Sequence, residues 1–191
     1  MLASTFVVLA YHVIFGCYGF WLPNDPRGSW STFVRSYELY RAGGNATKVD
    51  TRRSVAHVPH DKVLRTIAKQ ALRYPPMKLT GVMAREVGRA IGEAGLAVHA
   101  CCVMLDHVHL VLGRHAVSVE QAVRKIKQAA TMRLREGGYV DVERPVWVRG
   151  CWKVFLNDLE AVRRAIRYVN DNPVRAGLKR QTWPFITPFI V

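Results

Sequence analysis

Ala100-Cys-Cys-Val-Met-Leu-Asp-His-Val-His-Leu-Val-Leu112 is an apolar run interrupted at Leu105-Asp106. It reads as two strands, 96–104 and 107–112, joined by that dipeptide, and so short a link makes an antiparallel pair. Side chains alternate along a strand, so Val108, Leu110 and Leu112 face one side of the sheet while His107 and His109 face the other. The spacing aims both imidazoles at one point above the sheet. Two convergent imidazoles are the beginning of a divalent-metal site.

Outward from this hairpin the chain alternates strand-like and helix-like segments. Phe6 to Cys17 is a β-branched and aromatic run of the kind buried on both faces. Asp61 caps a helix with Val63, Leu64, Ile67, Ala71 and Leu72 on one face, ended by Pro75-Pro76. A second helix starts near Thr80, turns Met83, Val87, Ala90, Ile91 and Ala94 inward, and stops at Gly95. Ser118-Val-Glu-Gln121 is a capping-box pattern. The helix it opens runs to about Arg135, with Val119, Ala122, Val123, Ile126, Ala130 and Leu134 as its apolar stripe. Val146 to Leu156 alternates as a further strand, and a last helix spans about Asp158 to Asn172, before Pro173 and Gly177.

This order predicts an α+β class. It is the pattern of the ferredoxin-like split β-α-β: an antiparallel sheet with helices on one face and an added C-terminal helix. Gly19 to Ser31 and the polar stretch Arg41 to Arg53 do not fit the alternation. The chain 1–191 is therefore expected to be a single domain carrying an inserted loop and helix region at about 19–76.

Lys and Arg number 28 against 14 Asp and Glu, a net charge of +14. Such a surplus draws polyanions, nucleic acid first. With 50% hydrophobic residues the chain is no disordered basic tail. Cys17, Cys101, Cys102 and Cys151 form no Cys-x-x-Cys pair, which speaks against a zinc knuckle and fits a reducing cytoplasm. The apolar stretch Leu2 to Phe15 is too short to span a bilayer, so no membrane is expected as partner. A small-molecule metal hydrolase built on a β/α barrel needs roughly 250 residues and gives the basic charge no purpose.

A metal site and a basic surface together point to phosphodiester chemistry, the ion polarising a phosphoryl oxygen. Among the tyrosines, Tyr168 is placed best as nucleophile. Val162, Ile166 and Val169 make the buried stripe of the last helix and turn Tyr168 away from it. Asn172 lies one turn on, and Ala161 and Ala165 leave room beside the ring. Arg163, Arg164, Arg167 and Arg175 are expected to gather phosphate there and to favour the phenolate.

Tyr11-His-Val-Ile-Phe15, Met104-Leu-Asp-His-Val-His-Leu-Val-Leu112 and Arg167-Tyr-Val-Asn-Asp-Asn-Pro-Val-Arg-Ala-Gly-Leu178 resemble the single-tyrosine HUH transposases of bacterial insertion sequences. With Trp21-Leu-Pro-Asn-Asp-Pro-Arg-Gly28 and Arg149-Gly-Cys-Trp-Lys153, the chain looks most like their REP-associated tyrosine transposases. The resemblance spans about Tyr11 to Trp183. It implies metal-dependent cleavage and rejoining of single-stranded DNA near palindromic hairpins. Tyr168 would form a 5′-phosphotyrosine link, and His107 and His109 would hold Mg²⁺ or Mn²⁺. Asn172 stands where insertion-sequence members carry a Gln as third ligand. Hairpin DNA would be held by basic and aromatic surface: Arg124, Lys125 and Lys127 of the 118–135 helix, Arg164, Arg167 and Arg175 of the last one, and Trp21, Trp30 and Trp152. The resemblance leaves both monomer and homodimer open. The competing expectation is a domesticated, non-cleaving hairpin-binding protein of the same fold.

Overall fold

A computed structural model describes residues 7–22, 25, 37–44 and 61–190. Trp30 lies outside the described residues. The elements in order are β1 (Ala10–Gly16), α1 (Tyr37–Gly43), α2 (Lys62–Gln70), α3 (Gly81–Gly92), β2 (Val98–Val103), β3 (His107–Gly113), α4 (Val119–Glu136), β4 (Trp152–Leu156) and α5 (Leu159–Arg175). They divide into two compact units: Met1–Phe15, Leu79–Glu143 and Arg149–Val191 form the first, Gly16–Lys78 and Arg144–Val148 the second.

The first unit is built on a four-stranded antiparallel sheet in the order β2-β3-β1-β4. The β2–β3 hairpin closes where the Met104 N–H donates to the His107 carbonyl at 2.8 Å, with Leu105 and Asp106 at the tip. β1 runs beside β3, which brings together strands almost a hundred residues apart.

Both faces of the sheet are covered. On one, Val13, Phe15, Leu110 and Leu112 are buried, and the ammonium of Lys127 from α4 lies 5.2 Å from the Phe15 ring centroid. The expected apolar stripe of α4 is buried at every position, and α3 buries Met83, Val87, Ala90 and Ile91. Ser118 and Gln121 exchange side-chain bonds with each other's backbone N–H, at 3.2 and 3.0 Å, and so start α4 where the capping pattern says. Each fully buried Val, Leu or Ile contributes about 1.5–3 kcal/mol, so these stripes carry much of the unit's stability.

The other face carries α5, whose Val162, Ala165 and Val169 pack on Ala10, Ala100, Cys102 and Val111. Asp158 caps it by accepting from the Ala161 N–H at 2.7 Å. The expected stop before Pro173 is not observed: α5 continues through Pro173 to Arg175. Only the N–H bond at residue 173 is lost, and the turn beyond is restored by a Schellman closure. In it Leu178 N–H donates to the Pro173 carbonyl (2.8 Å) and Gly177 N–H to that of Val174 (3.0 Å), with Gly177 at φ 74°.

β2 is an edge strand, and the chain after α5 covers it. Gln181 meets the Val103 N–H and carbonyl with its amide at 2.9 and 2.8 Å, and the Trp183 indole N–H donates to the Cys101 carbonyl at 3.1 Å. Thr187 N–H donates to the Val98 carbonyl at 2.8 Å. Trp183 and Phe185 rest where Gly88 and Gly92 leave α3 bare; a Cβ on Gly88 would come within 2.0 Å of the indole. The strand expected over 146–156 is confined to β4. Gly150, at φ 69°, breaks the extended run, and Trp147 forms only an isolated bridge to Cys17.

In the second unit Asp61 caps α2 as expected, accepting from the Val63 and Leu64 N–H groups at 2.9 Å. The buried face differs from the expected one. Val63, Leu64 and Ile67 are exposed, and Ala68 is buried. Asp25, itself buried, accounts for this: its carboxylate needs a countercharge and finds Arg65 of α2 at 3.4 Å, which turns the 65–68 side of the helix inward. Among the described residues no helix is long and apolar enough to cross a membrane.

Candidate active site

The site begins with the pleat of β3. His107 and His109 leave the same face, and their Nε2 atoms stand 2.9 Å apart. Each ring is oriented through its other nitrogen. His107 Nδ1 is 2.5 Å from the Asp106 carboxylate, and His109 Nδ1 is 3.1 Å from Nε2 of His12 on β1. His12 and His109 stack at 5.4 Å with 20° between the rings.

α5 lies across this face and sets Tyr168 over the histidines. Its ring centroid is 5.6 Å from that of His109 and 5.7 Å from that of His12, both edge-on. Trp152 of β4, paired with Ile14 in the sheet, meets His12 edge-on at 5.7 Å. Tyr168 remains 42% exposed. Asn172 follows one turn later on α5 and is partly buried.

Burial dominates the electrostatics. It lowers the pKa of His12 from 6.5 to about 4. His109 is pushed well down by burial first and then by its two imidazole neighbours, against a smaller opposing pull from Asp106. Both rings are therefore neutral at neutral pH, the form that can ligate a metal. The expected phenolate at Tyr168 is not what the surroundings favour. Burial and the neighbouring Cys102 raise its pKa, and Arg175 opposes them only in part. The arginine count along the helix overstated the effect because burial outweighs the pull of Arg175.

The basic candidates separate into two groups. Lys125 donates to the Ala94 carbonyl at 3.2 Å and Lys127 to that of Gly150 at 2.5 Å. Arg124, Arg164, Arg167 and Arg175 are exposed, and among the described residues none has a hydrogen-bond or ion-pair partner. Trp21 belongs to the second unit, where its ring packs on Gly16 from a left-handed backbone at φ 57°.

Two imidazoles with converging Nε2 atoms, each oriented by a partner on Nδ1, fit a divalent cation. Imidazole suits Mn²⁺ better than Mg²⁺, which favours oxygen. Among the described residues no cluster of three His, Cys, Asp or Glu completes a ligand set. Asn172, one turn beyond Tyr168 on α5, carries an amide oxygen, a donor type that suits a hard divalent cation. His12 is the residue that sequence reasoning missed. Its signal is a lone imidazole in a buried strand, which must find a polar partner.

Residues 77–170 match the family model described as "Transposase IS200 like". This segment contains His107, His109 and Tyr168 and stops short of Asn172. Among solved structures, the chain is similar to a REP-associated tyrosine transposase bound to a REP hairpin, at 13% identity and a TM-score of 0.49, over 97% of this chain and 80% of that one. It is also similar to a putative transposase from Deinococcus radiodurans R1, at 12% identity and a TM-score of 0.37, over 90% of this chain and 95% of that one. No curated protein matches the sequence.

Proposed function

From the homology of residues 77–170 to the IS200-like transposases, we propose that this chain is a metal-dependent, single-tyrosine HUH nuclease and strand transferase of the REP-associated kind. Its substrate is single-stranded DNA beside a palindromic hairpin. The observation that carries the reading is Tyr168 lying 5.6 Å from His109, whose Nε2 converges with that of His107.

Tyr168 is the nucleophile. Its oxygen forms a bond to the scissile phosphorus as the bond from phosphorus to the 3′ oxygen breaks. The 5′ phosphate is left on the tyrosine, and the proton lost by the phenol is balanced by the one taken up by the departing 3′ oxygen, which leaves as a hydroxyl. Rejoining is the reverse, with a 3′-hydroxyl displacing the tyrosine. His107, His109 and Asn172 are the residues to hold Mg²⁺ or Mn²⁺, which when bound offsets charge growing on the phosphoryl oxygen. Arg164, Arg167 and Arg175 lie on the helix of the nucleophile and would track the phosphates. Trp152 and Trp21 are stacking surfaces for unpaired bases, and the cytoplasm is the compartment of such a reaction.

The test is a denaturing gel of protein with labelled single-stranded hairpin DNA and Mn²⁺, beside Tyr168→Phe and a chelator lane. A protein-linked DNA band that needs both Tyr168 and the metal is expected. Hairpin binding with no linked band would move the reading to a non-cleaving hairpin binder.

A further inference from the structure

We propose that His12 is a positioning residue that makes His109 a metal ligand, by accepting the hydrogen of its Nδ1. The proposal rests on the metal reading above and adds a residue outside the segment matched to the transposase family.

His12 Nε2 and His109 Nδ1 are 3.1 Å apart and buried, so one hydrogen is shared between them. A neutral imidazole carries one N–H and one lone pair. If the hydrogen sits on His12, then His109 must keep its own on Nε2, aimed at His107 and blocked from a cation. If it sits on His109 Nδ1, donating to His12, then Nε2 presents its lone pair at the point where His107 Nε2 also converges. Only the second arrangement ligates.

His107 is organised in the same way by another group. Its Nδ1 faces the Asp106 carboxylate, which when ionised can only accept. Asp106 thus does for the outer histidine what His12 does for the inner one. The difference follows from depth. Asp106 and His107 are partly exposed, whereas His12 is 9% and His109 3% exposed. A carboxylate at position 12 would bury a charge, and an imidazole supplies the acceptor without one. His12 is itself held edge-on by Trp152 and Tyr168, which fixes where its lone pair points.

Long-range proton–nitrogen NMR of the metal-free wild-type protein reads the tautomers directly. Nδ1–H is expected on His109, with a bare Nε2 on both His12 and His109. A hydrogen resting on His12 Nε2 would overturn the proposal, and this measurement needs no variant. Mn²⁺ titration supplies the second reading. His12→Phe, which fills the site but cannot accept, should lower Mn²⁺ affinity about 10–100-fold at unchanged hairpin affinity, and His12→Gln, whose amide oxygen can accept, should recover most of the loss. Wild-type Mn²⁺ affinity in His12→Phe would remove the role of His12 and leave the metal reading intact. A wild type that binds no Mn²⁺ would remove the metal reading itself.

Discussion

α4 and α5 are both long, basic and amphipathic, yet their cations are used differently. On α4, Lys125 and Lys127 donate to backbone carbonyls, and Arg133 bonds to Glu86 and Glu93 at 3.2 and 3.1 Å. These three charges hold α4 to its own surroundings, and among the α4 cations named above Arg124 alone is exposed without a partner among the described residues. On α5, Arg164, Arg167 and Arg175 share the helix of Tyr168 and have no partner among the described residues. Equal charge in sequence is therefore unequal charge toward a ligand. A guanidinium already satisfied must give up a bond to take a phosphate, and one held only by water gives up less.

The sharpest way to break this comparison is to neutralise each helix in turn. Arg164→Gln with Arg167→Gln and Arg175→Gln should weaken hairpin DNA binding by well over tenfold near physiological salt. The slope of log affinity against log salt should fall by about 2, from ~0.7 per phosphate contact on single strands. Lys125→Gln with Lys127→Gln should leave that slope unchanged and instead cost stability, about 1 kcal/mol for each bond lost. Equal slopes for the two variants in filter-binding or anisotropy titrations would erase the distinction.

Acid should separate the helices more gently. His12 has its pKa near 4 in the folded state against 6.5 unfolded, so between these values the unfolded chain binds a proton that the folded one refuses. Stability of the metal-free protein must then fall as pH drops from about 6.5 to about 4 and level off below. The loss belongs to the face under α5. Amide exchange across that window should accelerate in α5 before α4, and uniform acceleration would show that the two faces open together.

The smallest effect comes from the opposite manoeuvre. Glu86→Gln with Glu93→Gln releases Arg133, and DNA affinity should rise a few-fold at low salt. No change would mean that Arg133 points away from the path of the DNA.

What could be read from the sequence had local causes. The α4 stripe and its cap, the hairpin at Leu105-Asp106 and the shared face of His107 and His109 follow from periodicities of 3.6 and 2. What could not be read depends on residues far apart in the chain. His12 matters because β1 lies beside β3, 97 positions away. α2 turns as it does because of Asp25, and α5 outlasts Pro173 because the Schellman turn beyond it is sound. The phenolate expectation failed for a different reason: counting arginines along a helix records charge and says nothing of burial. The candidate site was half legible, with the convergent histidine pair and the tyrosine visible and the neighbour of His109 on β1 hidden.

The covering of β2 has a consequence for how the protein is made. Trp183 reaches back 82 residues to bond Cys101, so during translation the edge of β2 is finished long before its cover exists. At about 5–20 residues per second that interval is roughly 4–16 s, during which an unpaired strand edge and two bare glycines on α3 are open to any neighbouring nascent chain. Crowding of ribosomes on one message is then the condition most apt to misassemble this protein. Slower initiation, with no change to the folded molecule, should raise its yield.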